Sequence, residues 1–195
     1  MTLADKMTSL RLVLAPLFFL VYLGHRYYPI ANVVWIVVTL WIIFLVSEIT
    51  DVLDGVVARK RGEVSDFGKL FDPFADTLTQ ITYFLCFVID GIFPAFVFLI
   101  IIYREFSVLF VRNLMLKKGI AMGARLSGKI KTVSYVVAGA IALAASSALW
   151  LGLCLEYCRW LIFAAQGAFV FSMLIAVISL VEYIFVYLKT PEAGK

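Results

Sequence analysis

Apolar runs long enough to cross a bilayer recur from one end of this chain to the other, around residues 8–24, 30–50, 77–101, 132–151 and 160–188, with a more interrupted sixth near 92–116. Each approaches the roughly 17–25 residues a helix needs to traverse hydrocarbon, where every backbone N–H and C=O must be satisfied within the segment. A chain of 195 residues that is 64% hydrophobic and 15% charged has too little polar surface to cover a soluble core of its size. The pattern predicts an all-α, polytopic membrane protein, with six transmembrane helices packed in one bundle and a single domain over residues 1–195. The first run continues to Tyr22 with no small-residue cleavage site, which predicts a retained helix rather than a signal peptide.

The net charge of +4 is more informative by position than as a sum. Lys6 and Arg11, then Arg59, Lys60, Arg61 and Lys69, then Arg112, Lys117, Lys118, Arg125, Lys129 and Lys131, and finally Lys189 and Lys195 fall in alternate connections, while the others hold only Arg26 and Arg159. Basic residues mark the cytoplasmic side of short loops, so both termini are expected to be cytoplasmic. Basic residues at helix ends suit anionic lipid headgroups and not nucleic acid. The segments GHRYYP, VIDGIFP and SSALWLGLCLEYC read as outer connections, and RKRGEVS and KKGIAMGARLSG as inner ones. The three cysteines, Cys86, Cys154 and Cys158, have no histidine near them in sequence, so they read as unpaired thiols rather than a zinc site.

Between Glu48 and Asp76 the composition changes abruptly to acids and bases. The second helix is expected to leave the bilayer there, stop near Gly62, turn, and re-enter as a third helix starting near Asp66 with Ser65 as its N-cap. Asp51, Asp54 and Ala58 share one face of the second helix, flanked by Gly55, and Gly68, Asp72 and Asp76 share one face of the third. Two antiparallel helices joined by a short turn press those faces together. Four carboxylates then converge at the cytoplasmic end of the membrane, where they repel one another unless a cation neutralises them. With oxygen ligands alone the fitting ion is hard, Mg²⁺ or Mn²⁺ with Ca²⁺ as an alternative, as one ion or two. Magnesium usually pairs a few carboxylates with substrate phosphates, which points to a diphosphate substrate. Gly55 and Gly68 would let such a ligand approach the backbone, and Arg59 would fork onto a phosphate.

Ordinary interface acids paired with Arg59, Lys60, Arg61 and Lys69 would account for any one of these aspartates. They do not account for the set. At typical residue usages, a chance match to eight fixed positions somewhere in the chain is roughly one in ten million or rarer. Those eight, Asp51, Asp54, Gly55, Ala58, Arg59, Gly68, Asp72 and Asp76, resemble the defining pattern of the CDP-alcohol phosphatidyltransferases without a departure. The resemblance implies a six-helix membrane enzyme, usually a homodimer, that transfers a phosphatidyl or similar unit from a CDP-linked donor to a small alcohol and releases CMP. By position it implies that Asp51, Asp54 and Asp72 ligate the metal ions, that Asp76 is ligand or general base, and that Thr50, Gly55, Ala58, Arg59 and Gly68 line the CDP site.

A second region bears on the alcohol. Arg104 and Glu105 interrupt an apolar stretch, where charge is costly unless paired or functional, and Arg112 lies eight residues on, close to two helical turns. With Arg125, Lys129 and Lys131 they are expected to form a cationic pocket beside the metals, suited to an acceptor that carries its own phosphate and unsuited to choline. Arg104 and Glu105, a six-residue spacer, Arg112, then Gly128, Lys129, Lys131 and Thr132, together with Thr8, Arg11 and Pro16 near the start, resemble the bacterial phosphatidylglycerophosphate synthases of that family. Thr77 and Asp5 depart from it, where those proteins usually carry lysine and asparagine. This resemblance implies CDP-diacylglycerol as donor and sn-glycerol 3-phosphate as acceptor. Alternatives within the family are an inositol phosphate acceptor, or CDP-choline or CDP-ethanolamine as donor to diacylglycerol. A cation transporter would spread ionisable residues through the depth of the bilayer, whereas these cluster at one end.

Overall fold

The computed structural model describes residues 3–27, 32–61, 66–118, 120 and 126–190, and the side chains of 7–27, 32–51, 68, 71–118, 120 and 126–190. The described residues form six helices: α1 Leu3–Tyr27, α2 Val33–Arg61, α3 Asp66–Ile89, α4 Ala95–Lys117, α5 Leu126–Trp150 and α6 Leu155–Lys189. Four of them are long and apolar enough to span a membrane, over Met7–Tyr27, Val33–Asp51, Leu126–Trp150 and Leu155–Lys189. α3 and α4 fall short because they carry Asp72, Asp76, Arg104, Glu105 and Arg112. The chain is thus a polytopic helical membrane protein in which α3 and α4 carry charged residues within their apolar stretches. The expected stop at Gly62 and N-cap at Ser65 lie outside the described residues, while α3 does begin at Asp66.

Two expectations about boundaries need correction. The apolar run 77–101 is not one helix, because α3 ends at Ile89 and α4 starts at Ala95. Gly91 takes a φ of +72°, and the N–H groups of Ile92 and Phe93 donate back to the Phe87 carbonyl at 2.9 and 3.0 Å. A left-handed glycine with backward bonds of this kind closes a helix, and hydropathy alone does not register it. The segment SSALWLGLCLEYC, read as a connection, is mostly helix: only residues 151–154 link α5 to α6. Gly152 at φ +67° makes the stop there, with Leu153 N–H donating to Ala148 O at 3.0 Å.

α5 packs on α6, α1 on α2 and α3, and α4 on α6 and α3. The α5–α6 pairing draws on small buried side chains, among them Ala138, Ala142 and Ala145 on one helix and Ala165, Ala176 and Ser179 on the other. Small residues let backbones approach closely, which drives helix association where lipid is as apolar as the core. At the centre Phe93 stacks on Phe169 with ring centroids 3.7 Å apart, and Phe84 meets both edge-on at 5.4 and 5.0 Å. Gly139 brings α5 against α2: a Cβ there would lie 3.4 Å from Phe44 Cε2. The three cysteines are free thiols, as expected.

One end of the bundle is tied by polar contacts around Asp90, just past α3. Tyr22 donates its hydroxyl proton to Asp90 Oδ2 at 2.6 Å, leaving Ser146 as donor to Tyr22 at 2.6 Å, and Arg26 pairs with Asp90 Oδ1. This joins α1, α3 and α5. Tyr22→Phe removes the hydroxyl while keeping the ring packed on Trp150, and is expected to lower stability by about 1 kcal/mol. Thermal unfolding of the purified protein in detergent checks this; an unchanged midpoint would mean that the tie contributes nothing to stability.

Candidate active site

The opposite end of α3 carries the acids. Asp76 and Asp90 are 14 residues apart, which is about 21 Å along a helix, so the two polar regions lie at different depths of the bundle. On α1, Thr8 and Arg11 are three residues apart and both are buried, at 0% and 2% exposure, a position a lone arginine does not tolerate without partners. Arg11 Nη1 donates to Asp51 Oδ1 on α2 and to Asp76 Oδ1 on α3. Thr8 Oγ1 donates to Asp72 Oδ1. One face of α1 therefore gathers three acids from two other helices around it. Thr50, one residue before Asp51, is buried, and its hydroxyl donates to the Val46 carbonyl within α2. Gly68 is buried on α3.

The side chains of Asp54, Ala58 and Arg59, and Gly55 with them, lie outside the described set, although their backbone is helical within α2; Arg125 lies outside the described residues altogether. Among the described residues no three histidine, cysteine or acidic side chains stand in metal-holding geometry. The donor set nonetheless fits a hard cation. Asp51 and Asp76 are close enough to share one guanidinium nitrogen, and carboxylate oxygen is what magnesium or manganese prefers.

Beside these acids is a cavity of about 240 Å³ that Asp72 and Asp76 line from one side and Arg104, Arg112, Lys129 and Lys131 from the other. The two arginines do face the same space, as their eight-residue separation predicted. Their surroundings differ. Arg104 is spent on its neighbours: Nε donates to Ala176 O at 3.0 Å, Nη1 to Glu105 Oε1 at 2.8 Å and Nη2 to Ser179 Oγ at 3.0 Å. Arg112 lies over the Tyr183 ring at 5.3 Å and gives Nη2 to the Tyr183 hydroxyl at 2.9 Å, while its Nε is buried without a partner. Lys131 donates to the same Glu105 oxygen at 3.1 Å and sits 4.5 Å from the centre of the Tyr135 ring.

A carboxylate-lined wall facing a cation-lined wall gives one side able to hold a cation and another able to hold a phosphate. A family model described as CDP-alcohol phosphatidyltransferase matches residues 1–178. The chain belongs to the CDP-alcohol phosphatidyltransferase family. Among similar members of this family is a CDP-diacylglycerol--glycerol-3-phosphate 3-phosphatidyltransferase of Treponema pallidum (strain Nichols), 46% identical over 141 residues, or 70% of this chain and 65% of that protein. A protein of the same description from Bacillus subtilis (strain 168) is 32% identical over 146 residues, 70% of this chain and 73% of its own length. A probable phosphatidylglycerophosphate synthase of Mycobacterium tuberculosis (strain ATCC 25618 / H37Rv) is 34% identical over 137 residues, covering 70% and 63%.

Several residues that build this cavity escaped the sequence reading. Arg11 counted there as a topological charge and an opening-segment match, not as a partner of the acids. Glu105, the shared partner of Arg104 and Lys131, counted as an intramembrane charge and a motif match, not as the acid that joins the two cations. α6 was read as plain apolar, yet Ser172, Ala176, Ser179 and Tyr183 are buried at steps of four, three and four. That spacing was the available signal. Thr77 and Gln80 also line the cavity, and Gln80 continues the four-residue series of Asp72 and Asp76.

Proposed function

We propose that this protein transfers a phosphatidyl group from CDP-diacylglycerol to sn-glycerol 3-phosphate and releases CMP, as one catalytic domain over residues 1–195 working as a homodimer. The observation that carries this is the cavity in which Asp72 and Asp76 face Arg112, Lys129 and Lys131. It supports an acceptor that brings its own phosphate, and the printed activities of the relatives from Treponema and Bacillus name one.

In this reading Asp51, Asp54, Asp72 and Asp76 hold one or two Mg²⁺ or Mn²⁺ ions, which when bound neutralise the charge of the donor diphosphate. Thr50, Gly55, Ala58, Arg59 and Gly68 line the CDP site. Arg112 and Lys129 hold the acceptor phosphate, with Arg125 as a further contact, and Arg104 and Lys131 add positive charge fixed by Glu105. Asp76 takes the proton from the acceptor hydroxyl as its oxygen bonds to the phosphatidyl phosphorus. The bond from that phosphorus to the CMP oxygen breaks, and CMP leaves with the electron pair. The lysines and arginines gathered at this side's helix ends support a cytoplasmic position for this end of the bundle and for both termini. The donor's acyl chains then remain in lipid while its headgroup reaches the acids.

The test is CMP release by the purified full-length protein with Mg²⁺ or Mn²⁺, over CDP-diacylglycerol, CDP-choline and CDP-ethanolamine as donors and a panel of alcohols. Release with CDP-diacylglycerol and glycerol 3-phosphate is expected to exceed that with inositol phosphate, free glycerol or serine. Release with another alcohol and none with glycerol 3-phosphate would sink the assignment.

A further inference from the structure

Gln80 is the one carboxamide among the cavity-lining residues, and its carbonyl oxygen Oε1 is buried without a hydrogen-bond partner. It lies four residues beyond Asp76 and eight beyond Asp72, so the three share one face of α3, with Gln80 about 6 Å along the helix from Asp76. A buried acceptor without a donor is costly to maintain, and natural interiors keep few of them. Across the same cavity, Arg112 Nε is a buried donor without an acceptor. The two orphans demand opposite things. Arg112 Nε needs an oxygen that accepts, which a phosphate monoester supplies. Gln80 Oε1 needs an O–H or N–H, which an ionised phosphate does not supply.

Resting on the function proposed above, one hydroxyl of the acceptor gives its proton to Asp76 and is not free to serve Gln80. Of the acceptor's own groups, the one left to donate to Gln80 is a second hydroxyl. We propose that Gln80 is a specificity-determining residue that accepts a hydrogen bond from a second, non-reacting hydroxyl of the acceptor. The acceptor class this selects is a phosphate monoester with at least two hydroxyls, one for Asp76 and one for Gln80, and the phosphate for Arg112. Alcohols with one hydroxyl leave Gln80 Oε1 as it is, buried and unserved, and are discriminated against for that reason.

The experiment crosses one side chain with one hydroxyl. The kcat/KM for CMP release from CDP-diacylglycerol with Mg²⁺ is measured for sn-glycerol 3-phosphate and for 3-hydroxypropyl phosphate, which lacks only the second hydroxyl. The enzymes compared are the wild type, Gln80→Met, which keeps the length without the polar atoms, and Gln80→Glu, which keeps an accepting oxygen. The wild type is expected to favour the glycerol phosphate by about tenfold or more. Gln80→Met is expected to bring that ratio to within about twofold, chiefly through KM for the glycerol phosphate, and Gln80→Glu to retain the preference. A wild type that treats both acceptors alike, or a Gln80→Met variant that loses activity with both while keeping the ratio, would overturn the proposal. If neither phosphate supports turnover but another alcohol does, the reading of function fails on its own account. The same comparison made with that alcohol and its deoxy analogue then decides the role of Gln80.

Discussion

Asp76→Asn is expected to slow CMP release by about 10²–10⁴-fold while leaving equilibrium binding of CDP measurable, because the amide keeps the shape of the side chain and loses the basic oxygen. The size of the effect follows from where Asp76 stands. It lines the cavity and shares the Arg11 guanidinium with Asp51. Asp72 lines the same cavity, but Asp76 is the cavity-lining acid that shares a guanidinium with Asp51, and in the proposed function it faces the acceptor hydroxyl. Single-turnover CMP release and CDP binding on the same preparation separate chemistry from binding. Full activity in the variant would remove Asp76 as the base, and loss of CDP binding together with turnover would make it a binding residue instead.

Glu105→Leu is expected to destabilise the protein by about 3–5 kcal/mol, the usual consequence of removing one partner from a buried ion cluster. Glu105 is 5% exposed, and a single oxygen, Oε1, receives both Arg104 Nη1 and Lys131 Nζ. Without it two cations face each other with no intervening acid. Pairing Glu105→Leu with Lys131→Met removes one of the two stranded charges and is expected to recover part of the loss, a coupling a double-mutant cycle reads directly. Chemical denaturation in detergent checks both; a single variant as stable as wild type would show that the cluster holds nothing together.

The relation between sequence and structure is uneven, for physical reasons that particular residues make plain. Helix number, and the start of α3 at Asp66, were legible because hydrocarbon demands long apolar segments and charged residues mark where they end. The shared face of Asp72 and Asp76, and that of Arg104 and Arg112, followed from helical period alone. The stop at Gly91 was hidden because its signal is a backbone angle inside an otherwise apolar stretch. Contacts between distant helices were hidden more deeply. Nothing in the spacing of α1 announces that Arg11 meets Asp51 and Asp76, 40 and 65 residues away, and nothing in α4 alone says that Glu105 belongs to Lys131. A face can be computed from one helix, but a pairing needs two.

The pairing of Arg11 bears on how such a chain is made. An aspartate costs up to about 2.5–3.5 kcal/mol at the centre of a segment entering the bilayer, and α3 carries Asp72 and Asp76 within a helix that falls short of a spanning segment's hydropathy. α1, in contrast, is long and apolar enough to span a membrane, and it precedes in the chain the acids that its arginine meets. In the folded bundle the Arg11 guanidinium and the Thr8 hydroxyl of α1 meet Asp76 and Asp72. The first helix thus carries the partners that two acids of the third helix need, and those partners come earlier in the chain than the acids they meet.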